Sequence, residues 1–383
     1  MSMKFPIERF REAATPLYYY DMELLEQTLD KIKESISRYG FNVHYAMKAN
    51  ANPAILRRIS EAGFGADTVS GGEIAAAINA GFKADDIVFA GVGKTDAEIR
   101  LGLREGIGCF NVESAQELEI IEQLAVEEGK MARVALRINP NIDAHTHHYI
   151  TTGLEENKFG LDISVVPQMI QKCMRSKALS FVGLHFHIGS QITTLEPYRL
   201  LCERINVIQD DLERQGITSI KSINVGGGLG IDYDDPYKHP IADFDPYFAL
   251  FHNHLKLRDG QQLHFELGRA VVAQCGSLIT RVIYVKEGIG KRFAIVDAGM
   301  TDLIRPALYQ AHHKIENLTG AGRELRQYDV VGPICESSDV FGHDEMLPEV
   351  RRGDLIALRS AGAYGEVMAS RYNLRSLPGC MAE

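Results

Sequence analysis

The stretch FNVHYAMKANANPAILRRISEAGFGADTV (41–69) reads as strand, helix, strand. Val43–Met47 and Ala66–Val69 are short apolar runs of the kind that form buried strands, and Pro53–Ala62 between them carries apolar residues at helical spacing. Pro53 stands where a first helical turn tolerates proline. The alternation continues down the chain. Further strand-like runs lie at Ile87–Ala90, Cys109–Val112, Val134–Ile138, Val182–Ile188, Ile223–Val225 and Leu263–Glu266. Gly72–Ala80, Ala97–Glu105 and Ala115–Glu128 are the clearest remaining helices, with Asp96 and Ser114 suited to N-caps. Eight strands over about 220 residues, with room for a helix after each of the first seven, have the dimensions of a (β/α)8 TIM barrel. An open, doubly wound sheet of eight parallel strands would be large for that length.

The pattern changes after residue 270. Val271–Cys275, Ser277–Lys286, Arg292–Asp297, Gln327–Gly332 and Asp354–Leu358 are strand-like, with Gly-rich turns and little helix between them. A run of strands after a βα run signals a second, all-β domain of β-sandwich or β-barrel-like type. Leu17–Tyr20 is also strand-like and could join it. The expected division is a barrel over 25–270 and a β domain over 1–24 and 271–383.

Composition narrows the functional classes. The 383 residues are 45% hydrophobic and 24% charged, as in an ordinary soluble globular protein. A net charge of −10 and a pI near 5.8 argue against a nucleic-acid partner. No apolar run reaches membrane-spanning length, and the N-terminus lacks the apolar stretch of a signal peptide. The six cysteines, at 109, 173, 202, 275, 335 and 380, show no CxxC spacing. That spacing argues against a disulfide framework or zinc site and for a reducing, cytoplasmic location.

Working residues of such barrels sit at the C-terminal ends of the strands. The first strand ends in YAMKAN (45–50), where Lys48 leaves an apolar strand and can be desolvated for Schiff-base chemistry. A snorkelling lysine is the plain alternative. The second strand ends at Asp67. The sixth ends in HFHIGSQ (185–191), whose alternation puts His185 and His187 on one face. The pair could bind metal, but no convincing third ligand appears, since His145, His147 and His148 fall in a loop. A ring stacked on a planar cofactor, or a satisfied core histidine, is the better reading, and no metal is expected. The seventh strand ends in GGGLG (226–230) and the eighth in ELGR (266–269), where barrels commonly build a phosphate site from backbone N–H groups. A lysine at the first strand end, a phosphate cradle at the last two and a carboxylate between them outline a pyridoxal phosphate site.

Taken with DLIRPALY (302–309), CESSD (335–339) and AGAYG (361–365), these motifs run in order almost end to end. The chain resembles the fold-type III pyridoxal-phosphate decarboxylases. The loop RINPNIDAHTHHYITTGLEENKFG (137–160) looks like their diaminopimelate branch rather than the ornithine branch. The resemblance implies pyridoxal 5'-phosphate as cofactor, with Lys48 as the Schiff-base lysine and His187 as the stacked ring. It gives the phosphate to Ser190, Gly228 and the Gly268 and Arg269 amides, and the pyridine nitrogen to Glu266. Asp67 and Tyr364 are counted with the cofactor contacts. It also implies that Arg269, Arg305, Tyr309 and Tyr364 bind the amino-acid substrate, while a homodimer partner supplies Glu336 and the proton donor Cys335 to a shared active site. One departure is Leu267, where the family usually has proline; without proline's fixed φ a looser phosphate loop is expected.

The implied reaction converts meso-2,6-diaminopimelate to L-lysine and carbon dioxide, the last step of lysine biosynthesis, with closure of residues 143–160 excluding water. A sister decarboxylase for D-ornithine, D-lysine, ornithine, lysine or arginine would share the cofactor site without needing two guanidiniums for a second carboxylate. An alanine racemase should carry a basic partner at the pyridine nitrogen, and Glu266 argues against it. A catalytically inactive binding protein would not need Lys48, Glu266 and Cys335.

Overall fold

The computed structural model describes residues 5–142 and 158–383; His145, His147, His148 and residues 143–157 of the expected lid lie outside them. Two compact units divide the chain. One comprises Leu29–Gly230 and Asp243–Gly268, and the other Met1–Thr28, Ile231–Ala242 and Arg269–Glu383. The first strand, β1 (Leu17–Tyr20), belongs to the latter.

The former unit is a closed parallel barrel of β2 (Asn42–Ala46), β3 (Gly65–Thr68), β4 (Ile87–Phe89), β5 (Cys109–Val112), β6 (Ala132–Arg137), β7 (Leu179–His185), β8 (Ser222–Asn224) and β9 (Gln262–Leu267). Closure is carried by β2, which pairs Tyr45 with Ala66 of β3 and with Leu267 of β9. A helix follows each of the first seven barrel strands. Four of them start on side-chain caps: among these, Asn52 accepts from Ala54 N–H ahead of Pro53, and Ser114 accepts from Glu117 N–H. The cap expected at Asp96 falls one residue earlier. Thr95 accepts from Glu98 N–H while the Glu98 carboxylate accepts from Thr95 N–H, a reciprocal box that a carboxylate three residues on makes available only to Thr95. Under the barrel wall, the ring of Phe265 meets Phe248 at 4.9 Å and Phe251 at 5.0 Å, both nearly perpendicular. Each such edge contact adds about 0.5–1.5 kcal/mol beyond burial.

The other unit is a mixed eight-stranded sheet. Besides β1 it holds β10 (Gly276–Glu287), β11 (Arg292–Val296), β12 (Ile315–Asn317), β13 (Leu325–Val331), β14 (Val340–Pro348), β15 (Leu355–Leu358) and β16 (Gly379–Ala382). The order is β12–β15–β10–β11–β13–β14, and β1 lies antiparallel to β10 and parallel to β16. Phe10, Leu17, Tyr19, Ile279, Leu355 and Ala357 form one of its core clusters.

One expected strand is a helix. Residues 271–275 fall on and after a single turn, Arg269–Val272, with Ala273 N–H donating to Arg269 O at 2.9 Å. A short, wholly apolar run does not distinguish buried strand from buried helix. Leu267, at the position usually proline, ends β9 as a buried strand residue opposite Tyr45.

Candidate active site

Lys48 sits in a 3-10 turn, Met47–Ala49, that directly follows β2, so the strand delivers its amine to the barrel mouth. Its Nζ lies 3.0 Å from Asp67 Oδ2. Asp67, near the end of β3, is fully buried, and burial with the Glu266 charge raises its carboxyl to about 7 against the opposing pull of Lys48. Its other oxygen, Oδ1, has no hydrogen-bond partner among the described residues.

Glu266, on β9, accepts from Asn224 Nδ2 at 2.8 Å, from His185 Nε2 at 3.0 Å and, more weakly, from Asn111 Nδ2 at 3.4 Å. Burial favours its neutral acid, but pairing with His185, with Lys48 and His187 also nearby, outweighs burial and holds the group below the ordinary carboxylate range. His185 is thus committed to Glu266. Among the described residues no group of three or more His, Cys, Asp or Glu side chains could hold a metal. Gly227 N–H donates to His187 Nδ1 at 3.2 Å, which leaves the ring hydrogen of a neutral imidazole on Nε2. Burial, reinforced by Arg137 and Lys48, pushes His187 well below 6.5 and keeps it neutral.

The glycines after β8 form a tight cradle. Gly228 has φ +104°, and a Cβ there would come within 2.6 Å of Gly189 O. A Cβ on Gly227 would come within 1.9 Å of Glu266 O. The loop beyond Ser190 is tied to the same turn, with Ile192 N–H donating to Gly228 O at 2.8 Å. Bare backbone held this closely suits a phosphate, and with a lysine, a flat neutral ring and a buried carboxylate beside it the residues fit pyridoxal phosphate.

The other unit carries a group of cations. Arg269 and Arg305 are both buried, and their Nη1 atoms donate to the same oxygen, Tyr233 Oη, at 2.6 and 2.8 Å. Arg305 Nη1 also reaches His313 Nε2 at 2.9 Å, and His313 Nδ1 donates to Arg359 O at 2.8 Å. The Arg269 guanidinium lies over the Tyr364 ring at 4.9 Å, and Tyr309 acts on its charge. Arg305 has no carboxylate within ion-pair distance among the described residues, so the cluster is suited to an anion from outside the chain.

Cys335 and Glu336 follow β13 in the same unit. Both are exposed; Cys335 N–H donates to Asn373 Oδ1 at 3.2 Å and Glu336 accepts from Tyr372 Oη at 2.7 Å. Sequence reasoning missed Asn111 and Asn224. An asparagine inside an apolar strand must find a hydrogen-bond partner, and that rule could have flagged both. Tyr233 and His313 lie outside strands and helices, with no periodicity to point to them.

Residues 23–273 match the pyridoxal-binding domain of the pyridoxal-dependent decarboxylases. The chain is 60% identical over 375 residues to a diaminopimelate decarboxylase of Bacteroides thetaiotaomicron, covering 98% of this chain and 97% of that one. A diaminopimelate decarboxylase of Helicobacter pylori is 44% identical, over 96% of this chain and 90% of its own. The crystal structure of the H. pylori enzyme with L-lysine superposes with a TM-score of 0.92 at 42% identity, covering 98% of this chain and 93% of that one.

Proposed function

The chain belongs to the diaminopimelate decarboxylases, within the pyridoxal-dependent decarboxylases, and from that premise we infer that it releases carbon dioxide from meso-2,6-diaminopimelate to leave L-lysine. It is a carboxy-lyase with pyridoxal 5'-phosphate as cofactor. When bound, that group supplies an electron sink for the charge left at Cα as carbon dioxide departs.

The chain's own residues divide the remaining work. Lys48 carries the cofactor, with Asp67 holding its ammonium between turnovers. Glu266, kept as a carboxylate, favours a protonated pyridine nitrogen because an anion stabilises the charged form. The neutral His187 ring offers a flat face. Ser190, Gly228 and the amides of Gly268 and Arg269 take the phosphate. Arg269 and Arg305, with Tyr309 and Tyr364, read the distal carboxylate, and Glu336 reads the distal ammonium. Cys335 gives the proton to Cα.

We assign cofactor binding chiefly to the barrel unit, Leu29–Gly230 and Asp243–Gly268, and the substrate-binding and dimer-interface residues to the unit that holds Arg269, Arg305 and Glu336. The working form is a homodimer in which each protomer lends Cys335 and Glu336 to its partner's site; the exposure of both residues in the single chain supports this. A cytoplasmic location is supported by six cysteines without a disulfide among them. No helix among the described residues is long and apolar enough to cross a membrane.

The observation that carries the substrate assignment is the Arg269–Tyr233–Arg305 group. A buried guanidinium with no carboxylate of its own is costly unless an anion arrives, and a substrate with a carboxylate at each end brings one. The test is carbon dioxide release by the holoenzyme from meso-diaminopimelate, lysine, ornithine and arginine. Comparable release from ornithine would overturn the assignment.

A further inference from the structure

The oxygen shared by Arg269 and Arg305 belongs to a tyrosine with no role so far. Tyr233 lies in Ile231–Ala242, a segment grouped with the β sheet unit. That segment is fixed by Gln274, whose Nε2 donates to Asp232 O at 3.0 Å and to His239 O at 3.1 Å. The Gln274 Oε1 in turn accepts from Ser360 Oγ at 2.5 Å. The ring itself is held between the Arg305 guanidinium, 4.8 Å from its centre, and the His313 ring, edge-on at 5.1 Å.

A phenol oxygen accepts two hydrogen bonds and donates one. Here both acceptor positions are taken by guanidinium N–H groups. The hydroxyl hydrogen is the remaining bond, and it has no acceptor among the described residues. Flanked by two cations, its most favourable acceptor is an anionic oxygen. His313 cannot fill that place. Its Nε2 accepts from Arg305 and its Nδ1 donates to Arg359 O, and burial beside Arg305 brings it down to about 3, so it stays neutral.

We propose that Tyr233 is a specificity-determining residue, its hydroxyl donating to the distal carboxylate of the substrate while its oxygen fixes the spacing of the two guanidiniums that flank it. This rests on the reading that Arg269 and Arg305 bind that carboxylate. It makes recognition a three-donor arrangement, and a phenol held by two arginines adds direction that a pair of mobile cations lacks.

The test compares two inhibitors of the holoenzyme. L-lysine keeps the distal carboxylate, and cadaverine is the same skeleton without it. Tyr233→Phe retains the ring and removes the oxygen. The inhibition constant of L-lysine should rise by roughly 10- to 100-fold, the range for losing a hydrogen bond to a charged group. That of cadaverine should stay within about twofold, and KM for meso-diaminopimelate should rise with little change in kcat. Equal weakening of both inhibitors, or loss of cofactor absorbance along with both, would mark a structural residue and overturn the proposal. Arg305→Met, measured in parallel, separates the two levels. If it weakens L-lysine and Tyr233→Phe does not, the tyrosine role fails alone; if neither variant weakens L-lysine, the arginine reading fails as well.

Discussion

His185 on β7 and Glu266 on β9 meet at 3.0 Å across the intervening strand β8, with both side chains buried. Asn224, on β8 itself, donates to the other oxygen of the same carboxylate at 2.8 Å. A buried carboxylate so supported is kept ionised by its neighbours.

Replacing Glu266 by Gln should therefore leave cofactor bound while kcat falls by on the order of 100-fold, as when one preorganised electrostatic partner is lost. His185→Asn should act more subtly. The His185 pairing lowers the Glu266 carboxyl, so its removal lets that carboxyl rise, and activity should begin to fail at a higher pH on acidification. An acid limb of the kcat profile that does not move would show that Asn224 and Asn111 suffice.

Asp67 gives a prediction of opposite sign. Its carboxyl has an ordinary value of 3.8, and burial raises it to about 7 in the fold. Between those values the folded chain keeps a proton that the unfolded chain has lost. The group's contribution therefore turns unfavourable as pH rises through this window and is constant above it. Cofactor-free Asp67→Asn protein should melt higher than its parent at about pH 8, with the gap closing toward about pH 4. A gap that does not change with pH, measured by thermal denaturation, would contradict the burial argument.

Arg305→Met should raise KM for meso-diaminopimelate by more than tenfold while cofactor absorbance persists. Truncating one partner of a desolvated charge pair typically costs about 2–5 kcal/mol. An unchanged KM would move recognition of the distal carboxylate to other residues.

The dimer reading is tested by mixing. Lys48→Ala and Cys335→Ala proteins should each be nearly inactive. After demonstrated subunit exchange, half the dimers are mixed, and each mixed dimer holds one intact site, so roughly a quarter of all sites should recover. Exchange without recovery would place Cys335 in the same site as its own Lys48.

All eight barrel strands were legible because strands buried on both faces read as apolar runs, and the barrel then singles out Lys48, Asp67, His187, Gly228 and Glu266 by their positions at strand ends. The β unit was less legible. Ile315–Asn317 and Gly379–Ala382 are too short to show a period, and Val340–Pro348 carries Asp344 and Glu345 in mid-strand. The supporting residues were the least visible. His185 read as a stacked ring or a satisfied core histidine with no partner in view, and the carboxylate it meets, Glu266, lies 81 residues away. Tyr233 meets Arg305 only through the fold, 72 residues along the chain.

The pairing of β1 with β10 and β16 sets an order on assembly during synthesis. Leu17 to Tyr20 emerge early, yet their partners on one side are Gly276 to Ile279 and on the other Gly379 to Ala382. The second pairing joins residues roughly 360 positions apart, among the most distant contacts a chain can make. On the ribosome the barrel strands are complete before either partner exists, and domains generally fold as they emerge. A strand made before the barrel is thus covered only after it, and its LYYY edge stays open to other chains until both partner segments have emerged.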